Sequence, residues 1–264
     1  MKMINETFGR DQFGYRTHFW GLFPADPPLL TDGSKLPGDI YLNTTNRQLR
    51  MVDPTRRAWI TVGQAKIYDD FTGSALDEKL WTKDTAGAGV AIMGVGGDAK
   101  VDGALFLQDT GAAGDNHAQV SLNHNRSLQR GSLTVIAFRV QLNSGWLNFR
   151  AVLFNNGAFD AVGDWAGFEA DGPMGDNWFI RSSVGGAAVV EIDTNIPIVP
   201  NVWVDLVIVI YLNVAYMYIN GVQVGTISEA NLTALQLEPL VFIDDDNTMT
   251  GKKAAFVDII AAYQ

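Results

Sequence analysis

"VPNVWVDLVIVIYLNVAYMYINGVQVGTI", Val199 to Ile227, holds the longest apolar run of the chain and admits two readings. A membrane-spanning helix needs about 20 consecutive apolar residues. Asp205 and Asn213 interrupt this run, and β-branched and aromatic residues dominate it. It therefore reads as two buried strands. In the first, the even positions from Val202 to Leu212 are all apolar, whereas the odd ones run Trp203, Asp205, Val207, Val209, Tyr211. One face belongs to a core and the other is mostly covered as well. Tyr216 and Tyr218 then alternate with Met217 and Ile219, and Asn220-Gly221 supplies the positive φ angles of a type I′ hairpin turn.

Outward from this hairpin the same pattern continues. From Ala65 to Gln264 turn signals recur about every 8 to 12 residues, with no amphipathic helix beyond a turn or two at "SEANLTAL". Some 200 residues of short strands predict an all-β sandwich or jelly roll.

Composition sets the outer limits. The 264 residues are 47% apolar and include 27 glycines, which cluster between apolar runs as turns do. A net charge of -10 repels phosphate backbones and anionic lipid, which argues against nucleic-acid and membrane partners. With no cysteine, the core is held by apolar packing alone, as suits a protein folded in a reducing cytosol. The start, "MKMINETFGRD", lacks the apolar segment of a secretory signal.

Residues 1–36 have no helical or alternating period. They carry Phe13, Tyr15, Phe19, Trp20 and Phe23 ahead of a proline cluster at 24, 27 and 28. Such a segment cannot form its own core, and its aromatics are costly to leave wet. It reads as an extended arm that docks on a partner, or else wraps over its own domain. Residues 37–64 read as a small β-meander: "DIYLN" and "QLRMVD" around a "TTNR" turn, then "AWITVG". Gly38, Asp39, Tyr41, Asn43, Thr44, Asn46, Leu49, Trp59 and Gly63 give this stretch a pattern that resembles a module of bacteriophage tail-fibre and virion-appendage proteins.

Three motifs in residues 65–264 resemble the concanavalin-A-like superfamily of laminarinase-type glycosidases and laminin-G-like binding domains. "DDFTGSALDEKLWT", Asp69 to Thr82, is similar to its opening strand, "YMYINGVQVG" to its late hairpin, and "FVDIIAAYQ" to its closing strand. The resemblance implies a jelly roll over 65–264.

It also implies where to look for chemistry. Retaining glycosidases of that superfamily carry E-x-D-x-x-E or E-x-D-x-E on one strand, and double displacement needs two carboxyl groups about 5 to 5.5 Å apart. "EIDTNI", Glu191 to Ile196, places Glu191 and Asp193 on one face about 6.5 Å apart along a strand. Positions 195 and 196 are Asn and Ile, so the second glutamate is missing. The segment reads as a solvated strand and turn leading to Trp203, and no catalytic residue is expected in the chain.

Other constellations are thinner. Asp244, Asp245 and Asp246 share one loop, which reads first as a solvated acidic turn and second as a calcium site. No other cofactor is expected. His18, His117 and His124 lack metal-ligand spacing. Trp146, Trp165 and Trp178 lie in a glycine-rich section beside Asp and Asn, where an exposed indole would stack on a sugar, although large aromatics are more often core.

Taken with the phage resemblance, these features lead to the expectation of a non-enzymatic virion structural protein. It would be a capsid decoration, cement or head-fibre protein, partnered by the major capsid protein or other virion proteins, and a homotrimer on the capsid surface. The alternative is a tail-fibre or receptor-binding protein that recognises host glycan. A glycoside hydrolase ranks last.

Overall fold

The computed structural model describes residues 19–27, 39–52, 59–71, 75–87, 89–93, 104–109, 117–122, 128–129, 134–144, 147–154, 164–172, 176–184, 187–211, 214–228, 236–244 and 253–263. Among them the chain forms strands and no helix, in two sheets.

The first sheet has eleven strands. Its path runs β1 (Phe19–Phe23), β2 (Ile40–Asn43), β3 (Gln48–Val52), β4 (Trp59–Asp69), β19 (Lys253–Tyr263), β10 (Thr134–Leu142), β15 (Trp203–Tyr211), β16 (Val214–Ile219) and β17 (Val222–Ile227). β7 (Leu105–Asp109) also pairs with β19, and β6 (Val90–Met93) pairs with β7. The second, of eight strands, runs β14 (Ala187–Pro197), β13 (Asn177–Val184), β12 (Trp165–Ala170), β11 (Asn148–Phe154), β18 (Gln236–Asp244), β8 (His117–Leu122) and β5 (Trp81–Ala86), with β9 (Leu128–Gln129) beside β18.

Alternation puts one face of each sheet into a shared core. Val204, Leu206, Ile208 and Ile210 of β15 meet Phe149, Ala151 and Leu153 of β11 and Phe168 of β12 in one buried cluster. The odd positions of β15 are covered too. Val207 and Val209 join Ile40, Leu42 and Leu49 of the small meander in a second apolar cluster on the outer side of the first sheet. The expected hairpin forms at Asn220 and Gly221, with φ of 51° and 79°.

The meander forms as β2, β3 and the first part of β4. The division expected at residue 64 falls inside β4, which pairs with β3 from Trp59 to Gln64 and with β19 from Ala65 to Asp69. One continuous strand thus joins the meander to the sandwich. Within the expected arm, β1 lies parallel to β2. The Phe23 ring meets Tyr41 edge-on at 5.8 Å between centroids, and Phe19 and Trp20 lie in the same strand. Asp26 accepts hydrogen bonds from the Tyr41 hydroxyl and from Arg50 Nη2, and Trp59 Nε1 donates to the Pro27 carbonyl at 2.7 Å. This stretch is therefore held against its own chain. Phe13 and Tyr15 lie outside the described residues.

One motif takes a different form. "DDFTGSALDEKLWT" is a corner between sheets: β4 ends at Asp69, β5 begins at Trp81, and Asp69 bonds both Trp81 Nε1 and the Phe71 amide. Glycine and turn chemistry in the middle of the motif favour a corner over a strand. No helix among the described residues is long and apolar enough to cross a membrane.

Candidate functional site

The second sheet turns Phe149, Ala151, Phe168, Ala170 and Ile180 into the core, so the residues between them stand on its other face. Cross-strand register aligns them in rungs. One rung runs Asp193, Phe179, Glu169, Arg150 across β14 to β11, and continues through Phe242, Gln119 and Asp84 across β18, β8 and β5. On one side lies Asn148, Asp244, His117. On the other lies Glu191, Arg181, Gly167, Val152, Leu240.

Glu169 is the centre of the charged part. Its side chain is 2% exposed and lies between two guanidinium groups, accepting from Arg150 Nε and from Arg181 Nη1, each at 2.5 Å. Arg181 in turn bonds Asp171 at 2.8 Å and Glu191 at 2.9 Å. Burial of so many charges is tolerable because each is paired. Burial by itself would push the Arg181 guanidinium down, but the Glu169 and Asp171 carboxylates more than offset this and raise it. Because Glu169 and Asp171 bond the same nitrogen, their nearest oxygens are no farther apart than two short hydrogen bonds laid end to end.

Aromatic rings frame this centre. The Arg150 guanidinium lies 5.2 Å from the Trp165 ring centre and 5.7 Å from that of Phe242. Arg181 lies 5.3 Å from that of Phe179. Exposure divides the face into two zones. Val152, Phe154, Leu240 and Phe242 form a buried apolar cluster. A partly exposed polar band runs beside it, through Glu191, Asn177, Asp171, Arg150, Asn148, Asp244 and His117 to Asp84.

The site residues expected from the sequence are scattered relative to this centre. Trp165 borders it, half-buried. Trp178 is 1% exposed and packs edge-on against Phe149 in the core, so its indole offers no face to a sugar. Trp146 lies outside the described residues. Asp244 ends β18 in the polar band, and Asp245 and Asp246 lie outside the described residues. Among the described residues no group of three or more His, Asp or Glu is placed to hold a metal ion. "EIDTNI" belongs to β14, the edge strand: Glu191 reaches Arg181, while Asp193 accepts from Asn177 Nδ2 at 3.0 Å and from the Asn195 amide. Arg150, Glu169, Asp171 and Arg181 were not singled out by sequence. Their signal is charge at outward positions of largely apolar strands: one arginine each in "NFRAVLF" and "NWFIRSS", and the alternating pair Glu169 and Asp171 in "WAGFEAD".

The family model for the concanavalin A-like lectin/glucanases superfamily matches residues 113–259, more than half of the chain and most of the second sheet. The chain belongs to this superfamily. No curated protein matches it. Solved structures share the sandwich of this lectin/glucanase chain. A laminarinase from Flavobacterium sp. UMI-01 superposes with a TM-score of 0.59 at 13% identity, over 76% of this chain and 100% of that one. The catalytic domain of an endo-1,3-β-glucanase (laminarinase) from Thermotoga petrophila RKU-1 gives 0.57 at 12%, over 78% and 99%. A pseudo β-1,3-glucanase of Mycobacterium tuberculosis gives 0.55 at 12%, over 75% and 98%.

These findings correct the expectation of a non-enzymatic virion structural protein, and with it the statement that the chain is not an enzyme. The structures that share its sandwich include laminarinases and other glycoside hydrolases, and none of those named is a capsid or virion protein. The concanavalin-A-like jelly roll itself is as expected.

Proposed function

We propose that the chain is carbohydrate-active and engages a β-linked polysaccharide along the polar band of its second sheet. The observation that carries this reading is the Arg150–Glu169–Arg181 centre, set between Trp165 and Phe179 on a partly exposed face. The partly exposed members around it, Arg150, Asp171 and Glu191, offer donors and acceptors to sugar hydroxyls, and the half-buried Trp165 offers a ring. The superfamily membership and the laminarinase likeness support the ligand class.

A second form of the reading, in which the same face cleaves the glycan, draws its support from the laminarinase likeness. As to setting, the resemblance of residues 37–64 to phage appendage modules supports a place where the chain meets cell-surface polysaccharide.

The test uses the full chain with laminarin and with β-1,4-linked glucans. Retardation in glucan-containing native gels reports binding, and release of reducing ends reports cleavage. Binding that falls at least about ten-fold in Glu169→Gln, as expected for loss of hydrogen bonds to a charged group, supports the site. A wild-type chain that neither binds nor cleaves any of these glucans overturns the reading. Cleavage that survives in both Glu169→Gln and Asp171→Asn would remove the catalytic form of it.

A further inference from the structure

Residues 19–27 meet the meander in two ways. As β1 they extend its edge: β2, β3 and β4 pair antiparallel, whereas β1 lies parallel to β2, with Leu22 opposite Leu42 and Phe23 opposite Asn43. Strands that follow one another in sequence pair parallel only through a crossover of a dozen or more residues, and residues 24–39 supply it. β1 is therefore held on the meander by contacts and not by a turn. Past β1 the segment crosses the meander on the face of Tyr41, Val52 and Trp59, opposite to Ile40, Leu42 and Leu49. The Thr44 amide donates to the Phe23 carbonyl at 2.9 Å, and the Phe23 ring meets Tyr41 of β2. Asp26 accepts from the Tyr41 hydroxyl and, at 2.9 Å, from Arg50 of β3, and the Pro27 carbonyl accepts from Trp59 Nε1 of β4. Tyr41 and Trp59 pack edge-on with centroids 4.7 Å apart. An aromatic wall, a cation and an indole donor in a row make a receptor for an extended Asp-Pro segment.

We propose that residues 19–27 are an exchangeable arm: two copies of the chain trade them, each laying its Phe23–Pro27 segment across the Tyr41, Arg50 and Trp59 face of the other's meander. The exchange keeps every contact of the arm and changes only the chain that supplies it. Linker length permits this. Trp59 is in register with Val52, whose amide bonds the Asp39 carbonyl, so the return to the same meander spans two strand spacings, about 10 Å. Residues 28–38 can reach roughly 36–40 Å when extended, enough for a neighbouring meander as well. A second copy is the occupant because each chain carries both arm and receptor, so a two-fold pair fills both sites at once. Charge points the same way. Chains of net charge -10 repel one another, and Asp26 against Arg50 sets opposite charges at the contact between them.

The experiment measures the mass of the full chain in solution by light scattering over a range of concentrations, for wild type, Asp26→Arg, Arg50→Asp and a 1:1 mixture of the two variants. Wild type should run at twice the 28.8 kDa of one chain. Each variant alone sets like charges against each other, in its own chain or between copies, and should dimerise at least about ten-fold more weakly. In the mixture every arm meets an opposite charge on the other chain and a like charge on its own, so the dimer should return. A wild type that stays at one chain mass at every concentration overturns the exchange and leaves the arm a strap on its own meander. Variants that dissociate and stay apart when mixed overturn it as well. The Asp26 side chain is 42% exposed, so Asp26→Arg is the milder change, and its mass decides the matter should Arg50→Asp fail to fold. A dimer unchanged in Asp26→Arg overturns the proposal, because the interface then lies elsewhere.

Discussion

Asp69 Oδ2 accepts a 2.6 Å hydrogen bond from Trp81 Nε1, joining the last residue of β4 in the first sheet to the first residue of β5 in the second. The same carboxylate fixes the corner between them by accepting the Phe71 amide at 2.8 Å, where Phe71 takes a positive φ of 50°. Trp81 is almost wholly buried, so its indole N–H has no water to turn to once Asp69 is gone. Asp69→Ala should cost roughly 2–3 kcal/mol, because it leaves the buried indole N–H unsatisfied and removes the acceptor that holds the Phe71 amide. Urea unfolding monitored by tryptophan fluorescence measures this, and an unchanged midpoint would show that the corner is held by apolar packing alone.

Gly167 sits on the site face between Trp165 and Glu169, paired with Val152 on one side and Arg181 on the other. A Cβ there would stand 2.5 Å from the Ala151 carbonyl oxygen and 2.6 Å from the Val152 Cα, both backbone atoms that cannot swing aside. Gly167→Ala must therefore push β11 from β12, the two strands that carry Arg150 and Glu169. A loss of roughly 2 kcal/mol or more is expected, in line with overpacking. Glucan binding should weaken together with stability, and a variant as stable and as tightly binding as wild type would show that the strands can spread freely.

The sandwich is legible in sequence where two faces of one strand are written at once. From Val204 to Ile210 the even positions build the main core and Val207 and Val209 the second one, as two apolar alternations predict, whereas Val202, ahead of the strand, is exposed. The charged centre is not legible in that way. Arg150, Glu169 and Arg181 come from three strands, and only the register of β11, β12 and β13 brings them together. "EIDTNI" draws attention because two carboxylates alternate within one segment, yet it lies on the edge strand, where Glu191 serves as the outer partner of Arg181. The small meander reads correctly as three strands, but its function as a cover for the first sheet depends on how far β4 continues, which turn signals do not encode.

That cover makes the meander part of the folding unit. Ile40, Leu42 and Leu49 bury Val135, Ala137, Val207, Val209 and Ile259 on the outer side of the first sheet. A chain lacking residues 1–58 should expose this cluster and aggregate on purification. Leu42→Ala, in the full chain, should cost roughly 2–5 kcal/mol. A soluble, cooperatively unfolding truncation with the melting temperature of the full chain would show that the sandwich stands without it.

Asp205 of β15 gives the fold a pH dependence of definite sign. It lies in register with Arg139 of β10, 3.9 Å from its Nε, and Arg139 also faces Asp258 of β19 at 3.5 Å. Burial raises the Asp205 carboxyl above its ordinary value, Arg139 lowers it in part, and the Asp258 carboxylate raises it again. The folded chain thus holds this proton more tightly than the unfolded chain does. Its contribution is therefore greatest at low pH and is lost as pH rises from the unfolded carboxylate value, about 3.9, through the raised folded value. Asp205→Asn removes the titration while keeping the backbone bonds by which residue 205 and Asn220 close the hairpin. Relative to this variant, the wild type should lose melting temperature between pH 4 and pH 7, and the variant should be the more stable of the two at pH 7. Parallel melting curves across that range would show Arg139 compensating the buried carboxylate in full.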